Sequence, residues 1–159
     1  MHRKFLDDLT DAERTEFISR CEKKVFLAGT EIVTKDDTSR VMFLIKTGSA
    51  TACDSWDEDS VPLAIFSEWD VFGEMSFLDG SPRSATVKAT EDSVVYSIDW
   101  DKFLELIDSK PVITTKILLS LVKILINRLQ FIDVAFTTIA VANRDMKKNM
   151  TEMRKFLKG

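Results

Sequence analysis

Asp70-Val71-Phe72-Gly73-Glu74-Met75-Ser76-Phe77-Leu78-Asp79-Gly80-Ser81-Pro82-Arg83-Ser84-Ala85-Thr86-Val87 is the stretch that breaks the rhythm of this 159-residue chain. It reads as a strand that ends on a glycine, one helical turn, a tight Gly-Ser-Pro turn, and an Arg-Ser pair leading into another strand. A short helix after a glycine points unsatisfied N–H groups and its positive end at whatever lies beyond. Arg83 offers a planar fork of donors suited to phosphate oxygens, and Ser84 adds a small hydroxyl. Glu74 can accept from hydroxyl groups. Together these residues describe a pocket for one anionic phosphate joined to a hydroxyl-bearing sugar.

Working outward, the flanks are short β runs. Lys24–Leu27, Glu31–Lys35, Val41–Lys46, Ala50–Cys53 and Leu63–Phe66 precede the stretch, and Thr86–Ala89 and Val94–Ile98 close it or come after it. Turn-prone pairs such as Ala28–Gly29, Asp36–Asp37, Thr47–Gly48, Asp79–Gly80 and Glu91–Asp92 separate them. Many short strands at this spacing mean a sandwich or a barrel. Helices flank them. Leu9 to Cys21 carries a helical pattern with a capping-box signature at Thr10 and Glu13. Asp99 suits the N-cap of a helix over Trp100 to Ile107, and Pro111 the first turn of the next. The expected organisation is residues 1–110 as the β domain with its N-terminal helix and residues 111–159 as a helical extension.

No glycine or proline intervenes between Pro111 and Gly159, so a continuous helix there would run roughly 70 Å. Leu118, Val122, Leu125, Leu129, Ile132, Phe136, Ile139, Asn143, Met146, Met150, Met153 and Leu157 succeed one another at alternating spacings of four and three. Eleven of these twelve are apolar, which is the seam of a coiled coil. Asn143 falls at an a position, where a buried amide favours an in-register parallel pair. Arg128 at g can then face Asp133 at e of the partner, a pair worth about 0.5 kcal/mol. A second stripe, Ile113, Ile117, Leu121 and Ile124, is expected to pack on the β domain. The expectation is a parallel homodimer through this helix.

Composition excludes several function classes. With 45% hydrophobic and 30% charged residues, the chain can bury a core. A net charge of -4 argues against a surface built for nucleic acid. The first residues turn acidic at once and lack the apolar core of a signal peptide, and no stretch reads as a membrane span. Cys21 and Cys53 read as buried free thiols of a reducing compartment, so a cytoplasmic protein is expected. The single histidine, His2, leaves His-rich zinc sites and Ser–His or Cys–His catalysis without their parts. The acidic run Asp54–Asp59 lacks the glycine and distant glutamate of a calcium loop and reads as a solvated hairpin tip. No enzyme and no cofactor is expected.

The motif F-G-E-x-[AS]-x-L-x-x-x-x-R-[ST]-A-[TS]-V, as it stands in Phe72 to Val87, resembles the phosphate-binding cassette of the cyclic-nucleotide-binding domain family. Phe26-Leu27-Ala28-Gly29-Thr30-Glu31-Ile32-Val33 and Met42-Phe43-Leu44-Ile45-Lys46-Thr47-Gly48 resemble that family's barrel entry, and Asn127-Arg128-Leu129 its C-helix. The likeness covers roughly residues 5 to 132. It implies a double-stranded β-helix, or jelly-roll, barrel followed by a long C-terminal helix that forms a parallel coiled coil. It also implies roles. Gly73 would let the backbone approach the ligand, and Glu74 would accept the ribose 2′-hydroxyl hydrogen bond. The amides of Met75 and Ser76 would meet an exocyclic phosphate oxygen. Arg83 would pair with the phosphate, helped by Ser84 and the amide of Ala85. Asp133, near the base by alignment, would accept from the exocyclic amine of adenine or serve only the salt bridge. The resemblance to activator-type domains and the acidic Asp133 favour cAMP over cGMP. The residues after the last family-like position read as coiled coil, so DNA is not an expected partner, whereas a downstream effector domain or protein is. The competing reading is a dimeric scaffold whose barrel no longer binds ligand. The chain departs from the family in Lys35-Asp36-Asp37-Thr38-Ser39, where the usual glycine after the second strand is missing.

Overall fold

The computed structural model describes residues 4–55 and 61–156. In chain order the elements are α1 (Asp11–Arg20), β1 (Glu22–Phe26), β2 (Glu31–Val33), β3 (Val41–Thr47), β4 (Ala50–Cys53), β5 (Pro62–Phe66), β6 (Val71–Phe72), α2 (Glu74–Asp79), β7 (Thr86–Ala89), β8 (Ser93–Asp99), α3 (Trp100–Ser109) and α4 (Pro111–Phe156). The chain divides into two compact units, Met1–Leu121 and Val122–Gly159.

In the first unit the strands form two antiparallel sheets, ordered β1-β8-β3-β6 and β2-β7-β4-β5. Their inner faces meet in one core of Val33, Phe43, Ile45, Ala50, Ala52, Phe66, Phe72, Val87 and Val95. Alternation along the strands produces this: β8 buries Ser93, Val95 and Ser97 and half-exposes the residues between. β3 is different. Met42 through Ile45 are all buried, so it reads as an unbroken apolar run.

Each of the seven β runs became a strand, and where a jelly-roll barrel was expected the strands form two sheets packed like a sandwich that do not close on one another. β6 and β2 sit at sheet edges with two and three residues, too few to carry a ladder round a corner. β6 itself has no readable alternation at that length, although Phe43↔Phe72 and Leu44↔Val71 pair it firmly with β3. β2 stops at Val33 instead of continuing to Lys35. Just beyond, Asp36 adopts φ +66. The aspartate thus takes the left-handed turn that glycine would occupy without strain.

Helices complete the unit. α1 has the capping box: Glu13 N–H donates to Thr10 Oγ1 at 3.3 Å, and Thr10 N–H donates to Glu13 Oε2 at 2.8 Å. Glu13 also receives Lys116 Nζ on both oxygens at 2.7 Å, and that hydrogen bond holds its carboxyl below the usual range. Asp99 caps α3 by accepting from Lys102 N–H at 2.8 Å. Ile113, Ile117 and Leu121 of α4 are buried, while Ile124 is half-buried. Both cysteines are free, and burial pushes the Cys21 thiol up to about 12.

The second unit is the remainder of α4, in which Leu129, Ile132, Phe136, Ile139 and Met146 of the heptad pattern are exposed. Leu157 lies outside the described residues, as do residues 56–59 of the acidic run. Among the described residues no helix is long and apolar enough to cross a membrane.

Candidate functional site

Phe72 fixes where the cassette begins. Its ring stacks on Phe43 at 5.3 Å and on Phe66 at 5.0 Å, so the backbone leaves the core at a defined point. The next residue, Gly73, is the N-cap of α2 at φ +74. A side chain is excluded there twice. The backbone is left-handed, and a Cβ would stand 2.6 Å from Arg83 Nη1 and 3.1 Å from the Val41 carbonyl. The Gly73 carbonyl accepts from Phe77 N–H at 3.2 Å and from Arg83 Nη1 at 3.0 Å. One oxygen therefore holds both the first turn of the helix and the guanidinium.

Arg83 is only 3% exposed. Nη2 donates to the Val41 carbonyl at 2.6 Å and to Ser39 Oγ at 3.3 Å, and the guanidinium carbon lies 5.7 Å from the Phe43 ring centre. Its Nε is buried with no hydrogen-bond partner. Such a group costs about 1–3 kcal/mol until something accepts from it. Burial lowers the pKa of Arg83, against the opposing charges of Asp37 and Glu74. The backbone of Arg83 is also held: its N–H donates to the Asp37 carbonyl at 2.8 Å, and its carbonyl accepts from Asp36 N–H at 2.9 Å. The Asp37 carboxyl is held below its ordinary value, first by the Ser39 hydroxyl.

Glu74 is 2% exposed and Ser76 is buried, whereas the Met75 side chain is exposed. Ser84 is exposed, and Ala85 is half-buried against the core. Gly73, Glu74 and Arg83 are thus drawn together, with Met75 and Ser76 in the first turn of α2 and Ser84 and Ala85 directly after the arginine. Asp133 belongs to the second unit, where its carbonyl accepts from Thr137 Oγ1 at 2.9 Å. Sequence reasoning did not find Ser39, Val41 or Asp37. Val41 contributes a carbonyl, which no residue type announces. Ser39 and Asp37 sit in the loop whose missing glycine was the visible irregularity.

A cradle of one buried arginine, one buried glutamate and a glycine at a helix start is what the cassette motif describes. Residues 23–110 match the family model described as the cyclic nucleotide-binding domain. The chain belongs to the cyclic nucleotide-binding domain family. It is similar to the cAMP-dependent protein kinase regulatory subunit of Colletotrichum orbiculare, 30% identical over 102 residues, or 64% of this chain and 26% of that protein. It is also similar to the cGMP-dependent protein kinase of Toxoplasma gondii, 32% identical over 95 residues, or 60% of this chain and 9% of that one. The chain thus spans about a quarter or less of the length of these relatives. Among solved structures, the catabolite activator protein of Thermus thermophilus superposes with a TM-score of 0.74 at 23% identity, covering 86% of this chain and 62% of that one. A cyclic nucleotide-binding domain from Methylobacillus flagellatus gives 0.70 at 24%, covering 77% and 69%. These likenesses confirm the cyclic nucleotide-binding fold with its long C-terminal helix.

Proposed function

We propose that this cyclic nucleotide-binding domain is a regulatory sensor of cAMP, with no catalytic role of its own, that reports occupancy through a homodimer of its C-terminal helix. The carrying observation is Arg83, a buried cation whose Nε lacks an acceptor and which sits against the carbonyl of Gly73 and under the charge of Glu74. A cyclic phosphodiester carries one negative charge, so one arginine balances it. The assigned contacts are the phosphate to Arg83, Ser84 and the amides of Met75, Ser76 and Ala85, and the ribose 2′-hydroxyl to Glu74. Gly73 gives the close approach. Asp133 is proposed for the adenine amine, which favours cAMP over cGMP, and relatives named as cAMP-dependent regulatory subunits stand beside others named as cGMP-dependent kinases. The strand order 1-8-3-6 over 2-7-4-5 supports reading the two sheets as a jelly roll. The exposed heptad positions of α4 support the coiled coil, with an effector domain or kinase as the downstream partner and a cytoplasmic setting.

One observation favours the scaffold reading instead: Nη1 and Nη2 of Arg83 already donate to backbone carbonyls. Calorimetric titration with cAMP and cGMP separates the two. Binding by the wild type, weakened about 100-fold in a folded Arg83→Ala protein, is the expected result, since a charge-assisted contact contributes about 3 kcal/mol. Absence of heat with both nucleotides, in protein stripped of ligand, would leave the scaffold.

A further inference from the structure

A second arginine does something the cassette motif does not describe. Arg40 immediately precedes β3 and is half-buried. Its Nε and Nη2 donate to the Phe77 carbonyl at 3.1 and 2.9 Å, and Nη2 donates to the Leu78 carbonyl at 2.9 Å. These carbonyls belong to the last turn of α2, where a helix leaves its acceptors without donors of its own. The stem of Arg40 runs beside Gly80, the C-cap, with Cδ 3.6 Å from where a Cβ would stand.

The same guanidinium lies 4.0 Å above the ring of Trp100, the first residue of α3, and the Arg40 carbonyl accepts from Trp100 N–H at 3.0 Å. Aromatic packing runs in parallel: Phe77 of α2 meets Trp100 edge-on at 5.1 Å and Phe103 at 5.2 Å. A helix of six residues has too few internal bonds to fix its own axis. Its starting end is held by the Gly73 carbonyl and Arg83, and its finishing end by Arg40. From α3, Lys110 alone separates Ser109 from Pro111, and its N–H and carbonyl bond back to Leu106 and forward to Thr114. A shift of α3 is therefore delivered to the first turn of α4.

We propose that Arg40 is the positioning residue that ties the cassette helix to α3, so that movement of α2 on ligand capture is passed to α3 and the start of α4 through this guanidinium, beside the packing of Phe77 on Trp100 and Phe103. The transmission half rests on the cyclic-nucleotide reading above; the tie itself does not. Lysine cannot replace it, because an ammonium has no planar fork to reach two carbonyls while lying flat on an indole.

The experiment is amide hydrogen exchange on the full chain as wild type, Arg40→Lys, Trp100→Phe and the double variant, each first shown to be folded by its melting curve. Without ligand, Arg40→Lys is expected to speed exchange in residues 77–80 about tenfold. Trp100→Phe should do so less, and the double variant no more than Arg40→Lys alone. Effects that simply multiply would overturn the tie. With saturating cAMP, the wild type is expected to change its exchange across 100–109, and Arg40→Lys to bind the nucleotide yet lose at least half of that change. A full change in Arg40→Lys would overturn transmission through Arg40. A wild type that binds neither cAMP nor cGMP would sink the sensor reading and transmission with it, while the ligand-free comparison still decides the tie.

Discussion

Gly73→Ala is the substitution whose effect can be worked furthest from the geometry. Two costs add. An alanine at φ +74 loses about 1 kcal/mol relative to glycine. Its Cβ would also stand 2.6 Å from Arg83 Nη1, with the Val41 carbonyl at 3.1 Å behind it, so the guanidinium must withdraw from the Gly73 oxygen. Losing a hydrogen bond from a charged donor costs about 1.5–3 kcal/mol. The sum is about 3 kcal/mol. The chain contains its own control in Gly29, at φ +83, where a Cβ meets nothing within 4 Å. Gly29→Ala should therefore show the backbone cost alone, about 1 kcal/mol. Urea unfolding of both variants measures the gap. At an m-value of about 2 kcal/mol/M, the expected 2 kcal/mol difference moves the midpoint by about 1 M. The Arg83→Ala background supplies the decisive comparison, because removing the guanidinium should return the cost of Gly73→Ala to about 1 kcal/mol. Equal costs at 73 and 29, or a cost at 73 left undiminished by the loss of Arg83, would refute the contact between them.

Three further outcomes are expected. Asp36→Gly should stabilise the protein by about 0.5–1 kcal/mol in the same assay, because φ +66 suits glycine and the N–H to the Arg83 carbonyl is retained. Glu13, whose carboxyl is held below its ordinary 4.5 first by Lys116, contributes stability above that pH and loses it as pH falls through the lowered folded value. The deficit of Lys116→Gln should accordingly be visible at pH 6 and shrink as the pH is taken down through that lowered value. Under the proposed homodimer the wild type should self-associate in sedimentation, and Ile139→Asp, at an exposed heptad position, should abolish this while leaving the melting of the β unit unchanged.

What could be read from the residues obeyed physical rules about local pattern. Val94–Ile98 alternates and Thr10–Glu13 caps, and both signals act over a few neighbours, so sheet strand and helix start appeared where expected. Gly73, Glu74 and Arg83 were legible because chemistry, spacing and order coincide in one continuous stretch. That the two sheets stay open was not legible. It depends on strands as short as Val71–Phe72 and on the left-handed turn at Asp36, neither of which leaves a periodic trace. Nor was the setting of Arg83 legible. Val41 serves it through a carbonyl 42 residues away in sequence, and Ser39 through a hydroxyl that reads as ordinary loop composition.

The stacked rings Phe43, Phe72 and Phe66 bear on how this chain reaches its native state. Phe43 and Phe72 come from one sheet and Phe66 from the other, so the stack exists only after the two sheets have docked. Phe72 is bonded directly to Gly73, so the entry to the cassette is set only once the two sheets have docked, a step that needs contacts distant in sequence. Competence for ligand should then emerge late in refolding, together with the last burial of tertiary structure and not with the earlier formation of α1 or α4.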